Sequence, residues 1–121
     1  MGLRFEHVTF DCADAAGLAR FWAAALGWDV GPDASADLAA VGGPNRPRET
    51  PGLLFLRVDE PKTAKNRFHP DLVADDLDAE VARLAGLGAT TIAERSGFGT
   101  RWVTMADPEG NEFDVVQART G

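Results

Sequence analysis

The chain carries one pattern twice, and a tandem repeat of this length narrows the possible folds more than any other feature of the sequence. A histidine-bearing segment with strand-like alternation runs into an acidic helix start, then an apolar helix that stops at Leu-Gly. The first copy is His7-Val8-Thr9-Phe10-Asp11-Cys12-Ala13-Asp14 with its stop at Leu26-Gly27, and the second is His69-Pro70-Asp71-Leu72-Val73-Ala74-Asp75-Asp76 with its stop at Leu87-Gly88. The histidines are 62 residues apart and the glycines 61, about half of the 121 residues. Duplicated units bring equivalent residues together across a pseudo-twofold axis, so two histidines distant in sequence are expected to converge on one cleft.

The apolar pattern gives each half the same plan. Val8, Phe10 and Cys12 alternate with Phe5, His7, Thr9 and Asp11, which makes one strand face core and the other half polar. Leu18, Phe21, Trp22, Ala25 and Leu26 form a helical stripe ended by Gly27. Residues 28–30 and 37–41 are weak strands, 42–51 a proline- and glycine-rich loop, and 53–58 a strand. In the second half a strand is expected over 66–74, with Phe68, Pro70, Leu72 and Ala74 on its apolar side and His69, Asp71 and Val73 opposite. Asp75 or Asp76 caps a helix that packs through Leu77, Val81, Leu84 and Gly88, with Asp78 and Glu80 near its positive end. Strands follow over 90–93 and 101–106. Asp107-Pro108-Glu109-Gly110 is a type I turn into a last strand, 112–117. Each half therefore reads βαβββ, an α+β chain of two tandem modules, 1–60 and 66–121, in a single domain.

Composition excludes several classes. No segment approaches the roughly 20 apolar residues of a membrane span, and the N-terminus lacks the apolar stretch of a secretory signal, so a cytoplasmic protein is expected. Cys12 is the sole cysteine, which rules out an intrachain disulfide and a cysteine zinc cluster. Net charge −7 repels phosphate backbones and argues against nucleic acid. The one basic patch, Lys62, Lys65 and Arg67, reads as a solvated linker.

The βαβββ duplication, the closing ADPEGNEFDVV and the stretch KTAKNRFHPDL resemble the vicinal oxygen chelate superfamily, in particular its glyoxalase-like and bleomycin-resistance-like members. The resemblance covers nearly the whole chain and implies a curved mixed sheet around a cleft, with metal ligands on the first and last strand of each half. Carried onto this sequence, those positions are His7, His69 and Asp114, where the family motif usually has Glu. The fourth position falls at Leu56, which cannot coordinate. Two imidazoles and a carboxylate leave open positions on a divalent ion such as zinc, manganese, nickel or iron, an arrangement suited to Lewis-acid chemistry of lyase or transferase type. Glu112, on the same strand face, is the candidate catalytic base. Asp71 and Asp11 share the histidine faces and are candidates to orient imidazoles or contact a ligand.

Leu56 departs from a four-ligand glyoxalase I. The lack of any tyrosine departs from ring-cleaving dioxygenases and fosfomycin-modifying members. The alternative is a metal-free, drug-binding homodimer of the bleomycin-resistance type, in which acidic charge steers a cation inward and Trp22, Trp28, Phe98 and Trp102 are available to stack on flat rings. Trp22 lies on the helix stripe and reads as core, whereas Phe98, between Gly97 and Gly99, sits either in a mobile loop or in a simple turn. Cys12 reads as buried filler. In either case the partner is a small molecule and the expected assembly a homodimer.

Overall fold

The computed structural model describes residues 3–119. Contacts divide the chain into two compact units, Met1–Pro61 and Lys62–Gly121. In the first, β1 (His7–Cys12) leads into α1 (Ala15–Leu26), then β2 (Asp29–Val30), β3 (Leu38–Gly42) and β4 (Gly52–Arg57), in the sheet order β1-β4-β3-β2. In the second, β5 (Asp71–Ala74) leads into α2 (Leu77–Leu87), then β6 (Thr90–Gly97), β7 (Thr100–Ala106) and β8 (Glu112–Gln117), in the order β5-β8-β7-β6. Each unit is thus βαβββ. Its first and last strands pair in parallel, and the remaining pairs are antiparallel.

Local chemistry explains the helix boundaries. Asp14 caps α1 by accepting a hydrogen bond from the Gly17 amide at 3.2 Å, and a Cβ at Gly17 would lie only 2.4 Å from that carboxylate. With this Asp14 rotamer a side chain at position 17 would force the carboxylate to shift. Gly27 ends the helix at φ 72, a conformation a side chain would oppose. In the second unit the capping residue is Asp76, which accepts from the Ala79 amide at 3.2 Å.

The helix stripe does what its periodicity predicts. Leu18, Phe21 and Trp22 are buried against Phe55, Ala39 and Val41 of the first sheet. Phe10 meets Trp22 with centroids 5.4 Å apart and Phe55 at 5.0 Å, so the Phe10 side of β1 faces α1 and His7, Thr9 and Asp11 face away. Cys12 is buried, as expected. In the second unit Leu77 and Leu84 are buried, and so are Val103, Met105, Phe113 and Val115 of β7 and β8.

Two expectations are corrected, and one left open is decided. The strand predicted over 66–74 shrinks to Asp71–Ala74, and Phe68, placed on its apolar side, is 93% exposed. Pro70 offers no amide hydrogen, and the ladder to β8 opens with the Asp114 amide donating to the Pro70 carbonyl at 3.0 Å. His69 consequently lies on the connection ahead of β5. The strand predicted over 90–93 extends to Gly97 through a bulge between Thr91 and Ala93. Finally, Gly97 pairs with Thr100, so Phe98-Gly99 is a tight two-residue hairpin turn, with φ 51 and 79.

The candidate functional site

The site is built on the face of the second sheet opposite Phe113 and Val115. Antiparallel partners point to the same face, so the register of β7 with β8 puts Ala106 beside Glu112, Thr104 beside Asp114 and Trp102 beside Val116. On the other side of β8 the parallel register puts Asp71 beside Asp114 and Val73 beside Val116. The result is a polar row, Asp71-Asp114-Thr104, next to an apolar one, Val73-Val116-Trp102.

His69 completes the polar row. Its Nδ1 lies 3.0 Å from Asp71 Oδ1 and 3.7 Å from Asp114 Oδ2. The other Asp114 oxygen, Oδ1, accepts from the Thr104 hydroxyl at 2.6 Å, and Thr104 Oγ1 accepts from Arg95 Nε at 3.2 Å. Two carboxylates side by side only accept hydrogen bonds, so a donor or a cation suits the space between them. With Nδ1 as the donor, the imidazole presents Nε2 as its lone-pair nitrogen.

The same atoms fit a divalent ion. Ligands about 2.1 Å from a common ion lie about 3.0 Å apart at right angles and about 3.4 Å apart at the tetrahedral angle. The observed separations of 3.0 and 3.7 Å bracket that range. One ligand atom from each of His69, Asp71 and Asp114 falls within 4.8 Å of the others. A nitrogen and two carboxylate oxygens form a donor set that suits zinc, manganese or iron.

The remaining predicted residues fall as follows. His7 starts β1 in the first unit, is exposed, and pairs with Gly52. Asp11 is also exposed and pairs with Leu56. The two ladders end alike, Cys12 against Arg57 and Ala74 against Gln117, and the capping residues Asp14 and Asp76 follow at the same spacing. His7 is therefore the counterpart of His69 and Thr9 that of Asp71, and the counterpart of Asp114 is Leu54 rather than Leu56; neither leucine can coordinate. Trp102 is half-buried on the site face. Phe98, 87% exposed, stacks over it with centroids 6.3 Å apart. Trp22 is core at 1% exposure.

Glu112 occupies the same face, but not as an independent group. Lys65 Nζ donates to its Oε1 at 2.6 Å. That hydrogen bond holds the Glu112 carboxyl below the usual carboxylate range; burial opposes the shift, while the charges of Lys65, Lys62 and His69 assist it. A carboxylate stabilised as the anion is a weaker base, so Lys65 works against the role expected of Glu112. The patch read as a solvated linker thus includes a residue that ties the His69-bearing connection to β8.

Sequence reasoning missed Lys65, Thr104 and Arg95. Thr104 was within reach. Asp107 N donates to Asn111 O at 2.8 Å, and counting outward from this turn places Thr104 opposite Asp114. Arg95 was not, because the bulge in β6 shifts the register between the turn and the site.

Comparison with known proteins places this geometry in context. No curated protein matches the chain. Among solved structures, a glyoxalase/bleomycin resistance protein/dioxygenase family enzyme from Burkholderia phytofirmans superposes with TM-score 0.77 at 16% identity, over 97% of this chain and 100% of that one. The genomically encoded fosfomycin resistance protein FosX from Listeria monocytogenes gives 0.74 at 14% identity, over 98% and 96%. A glyoxalase/bleomycin resistance protein from Albidiferax ferrireducens gives 0.65 at 22% identity, over 95% and 98%. At these identities the likeness concerns the fold. The family model described as a glyoxalase-like domain matches residues 7–116, across both units, and the chain belongs to that family, within the vicinal oxygen chelate superfamily.

Proposed function

We propose that this protein acts on a small metabolite at a divalent-metal site on the second sheet, with His69 and Asp114 as ligands. The observation that carries this reading is the placing of His69 Nδ1 between Asp71 and Asp114 at ligand-like separations. Asp71 serves either as a third ligand or, through its bond to Nδ1, as the group that orients the ring so that Nε2 coordinates. His7, exposed at the start of β1, is a candidate ligand to be tested by its own substitution. A divalent ion with open positions supplies Lewis-acid polarisation of substrate oxygens, which suits lyase or transferase-type chemistry.

The residues of the chain divide the remaining work. Thr104, itself held by Arg95, occupies one Asp114 oxygen. Glu112 carries negative charge beside the site and takes a proton from substrate only where Lys65 moves away from it. Trp102, with Phe98 over it, offers an apolar wall on which a flat part of the substrate rests. We place the protein in the cytoplasm as a homodimer. Consistent with that placement, no helix among the described residues is long and apolar enough to cross a membrane.

Titration calorimetry with zinc, manganese, nickel and iron at neutral pH tests the reading. Wild type should bind one ion per chain, His69→Ala should lose most of the affinity, and His7→Ala measures the contribution of the first unit. Because protons compete with the ion for its ligands, affinity should be lost in acid. Absence of binding for all four ions would remove the metal reading.

A second reading draws on the Phe98–Trp102 stack. An aromatic ring held 87% exposed over a second ring is a platform for a planar ligand, as expected of a metal-free sequestering protein. Saturable quenching of tryptophan fluorescence by planar aromatic compounds in chelator, lost in Trp102→Leu, would favour it.

A further inference from the structure

We infer that Thr104 is a positioning residue for the Asp114 carboxylate, and that Arg95 sets the direction in which it acts. The inference rests on the metal reading for its functional meaning, but its geometry stands in the protein alone. Arginine only donates hydrogen bonds and an ionised carboxylate only accepts them. The Thr104 hydroxyl lies between one of each, 3.2 Å from Arg95 Nε and 2.6 Å from Asp114 Oδ1. It carries one proton. With Arg95 donating to Oγ1, that proton points at Asp114, and the chain has a single polarity from Arg95 through Thr104 to Asp114.

The consequence falls on the other oxygen. Oδ1 is committed to Thr104, so Oδ2 is the atom turned toward His69, 3.7 Å from its Nδ1. An aspartate side chain turns about a staggered Cα–Cβ torsion as well as a broad, roughly two-fold carboxylate torsion, and left alone Asp114 would populate more than one staggered rotamer. Thr104, 8% exposed and paired directly across the ladder with Asp114, is rigid enough to remove that freedom. A β-branched side chain in a central strand also has a restricted χ1, which adds to the effect. Serine in its place keeps the hydroxyl. Valine keeps the shape and loses it.

The experiment compares wild type, Thr104→Val and Thr104→Ser by two readouts. The first is affinity for manganese alone by titration calorimetry. Thr104→Val should weaken binding by about ten- to a hundred-fold, the usual effect of losing a group that orients a ligand, and Thr104→Ser should stay within about three-fold of wild type. The second readout needs no metal: three-bond Hα–Hβ couplings of Asp114, taken in chelator. Wild type and Thr104→Ser should show one dominant rotamer and Thr104→Val an average.

If wild type binds manganese and Thr104→Val binds it equally well, the positioning role is overturned while the metal reading survives. If wild type binds none, the metal reading fails and the couplings decide the inference. Averaging confined to Thr104→Val then upholds Thr104 as the residue that orients Asp114, and unchanged couplings overturn it.

Discussion

Lys65→Met removes the ammonium that bonds Glu112 and keeps most of the apolar stem. The contact is short, 2.6 Å, and asymmetric, with the Lys65 side chain 70% exposed and the Glu112 side chain 18% exposed. Exposure of the lysine caps the gain, since solvent and salt screen such a pair to about 0–1 kcal/mol. The half-buried glutamate puts this one toward the upper end, about 1 kcal/mol at neutral pH. The sign with pH follows from the direction of the Glu112 shift. Lys65 lowers the folded-state pKa of Glu112, so the stabilisation is fully present above the unfolded value of about 4.3 and is lost as pH falls through the lowered folded value. Urea unfolding of wild type and Lys65→Met, followed by circular dichroism at pH 7 and near pH 2, checks this. The variants should differ by about 1 kcal/mol at pH 7 and converge in acid. A difference of equal size at both values would show that packing of the lysine stem, and not its charge, holds the connection. No difference at pH 7 would show that the ion pair contributes nothing.

Other outcomes follow from the same reasoning. Phe98 has φ 51 at the first position of a turn whose second residue is Gly99, so Phe98→Asn creates the favoured Asn-Gly pair. It should raise the melting temperature slightly, by about 0.5 kcal/mol in stability, while abolishing any binding of planar ligands to the Trp102 platform; a lower melting temperature would mean that the ring stack outweighs the backbone strain. Trp22→Ala, at a side chain 1% exposed between Phe10 and Phe21, should cost about 3–5 kcal/mol and leave little folded protein at 37 °C, as read by thermal unfolding. Exposed Val8, Leu38, Leu56 and Val73 leave apolar sheet surface to cover, so light scattering at micromolar concentration should give the mass of a dimer, and a monomer there would refute that reading.

Much of the fold was determined by the sequence alone, because the features that built it are local. The helix of residues 15–26 follows from one apolar stripe, one capping aspartate and one glycine at its end. The hairpin between β7 and β8 follows from Asp107-Pro108-Glu109-Gly110, whose Asp107 carboxylate accepts from the Glu109 and Asn111 amides at 2.9 Å each. The repeat then made both halves βαβββ. His69 stands out through the repeat, whereas Asp114 is singled out only by the resemblance of the closing segment to the vicinal oxygen chelate superfamily.

Tertiary structure decided the rest, and each case involves a register or a partner far away in sequence. Alternation extended the strand of the second half back past His69, but a strand needs a neighbour along its length, and the ladder to β8 opens only at Asp71. The two parallel ladders keep His7 and His69 equivalent, but only the second unit has carboxylates beside its histidine, since Asp71 and Asp114 stand where the first unit has Thr9 and Leu54. Lys65 read as a linker charge because nothing nearby in sequence explains it; its partner Glu112 lies 47 residues on. Asp71 was grouped with His69 by parity, but only the pairing of β5 with β8 sets it beside Asp114 and so makes three side chains one cluster. Local sequence encodes which way a side chain faces within its own element. Which strand lies alongside, and at what offset, is set by packing over the whole sheet, and the chemistry of this site depends on that offset.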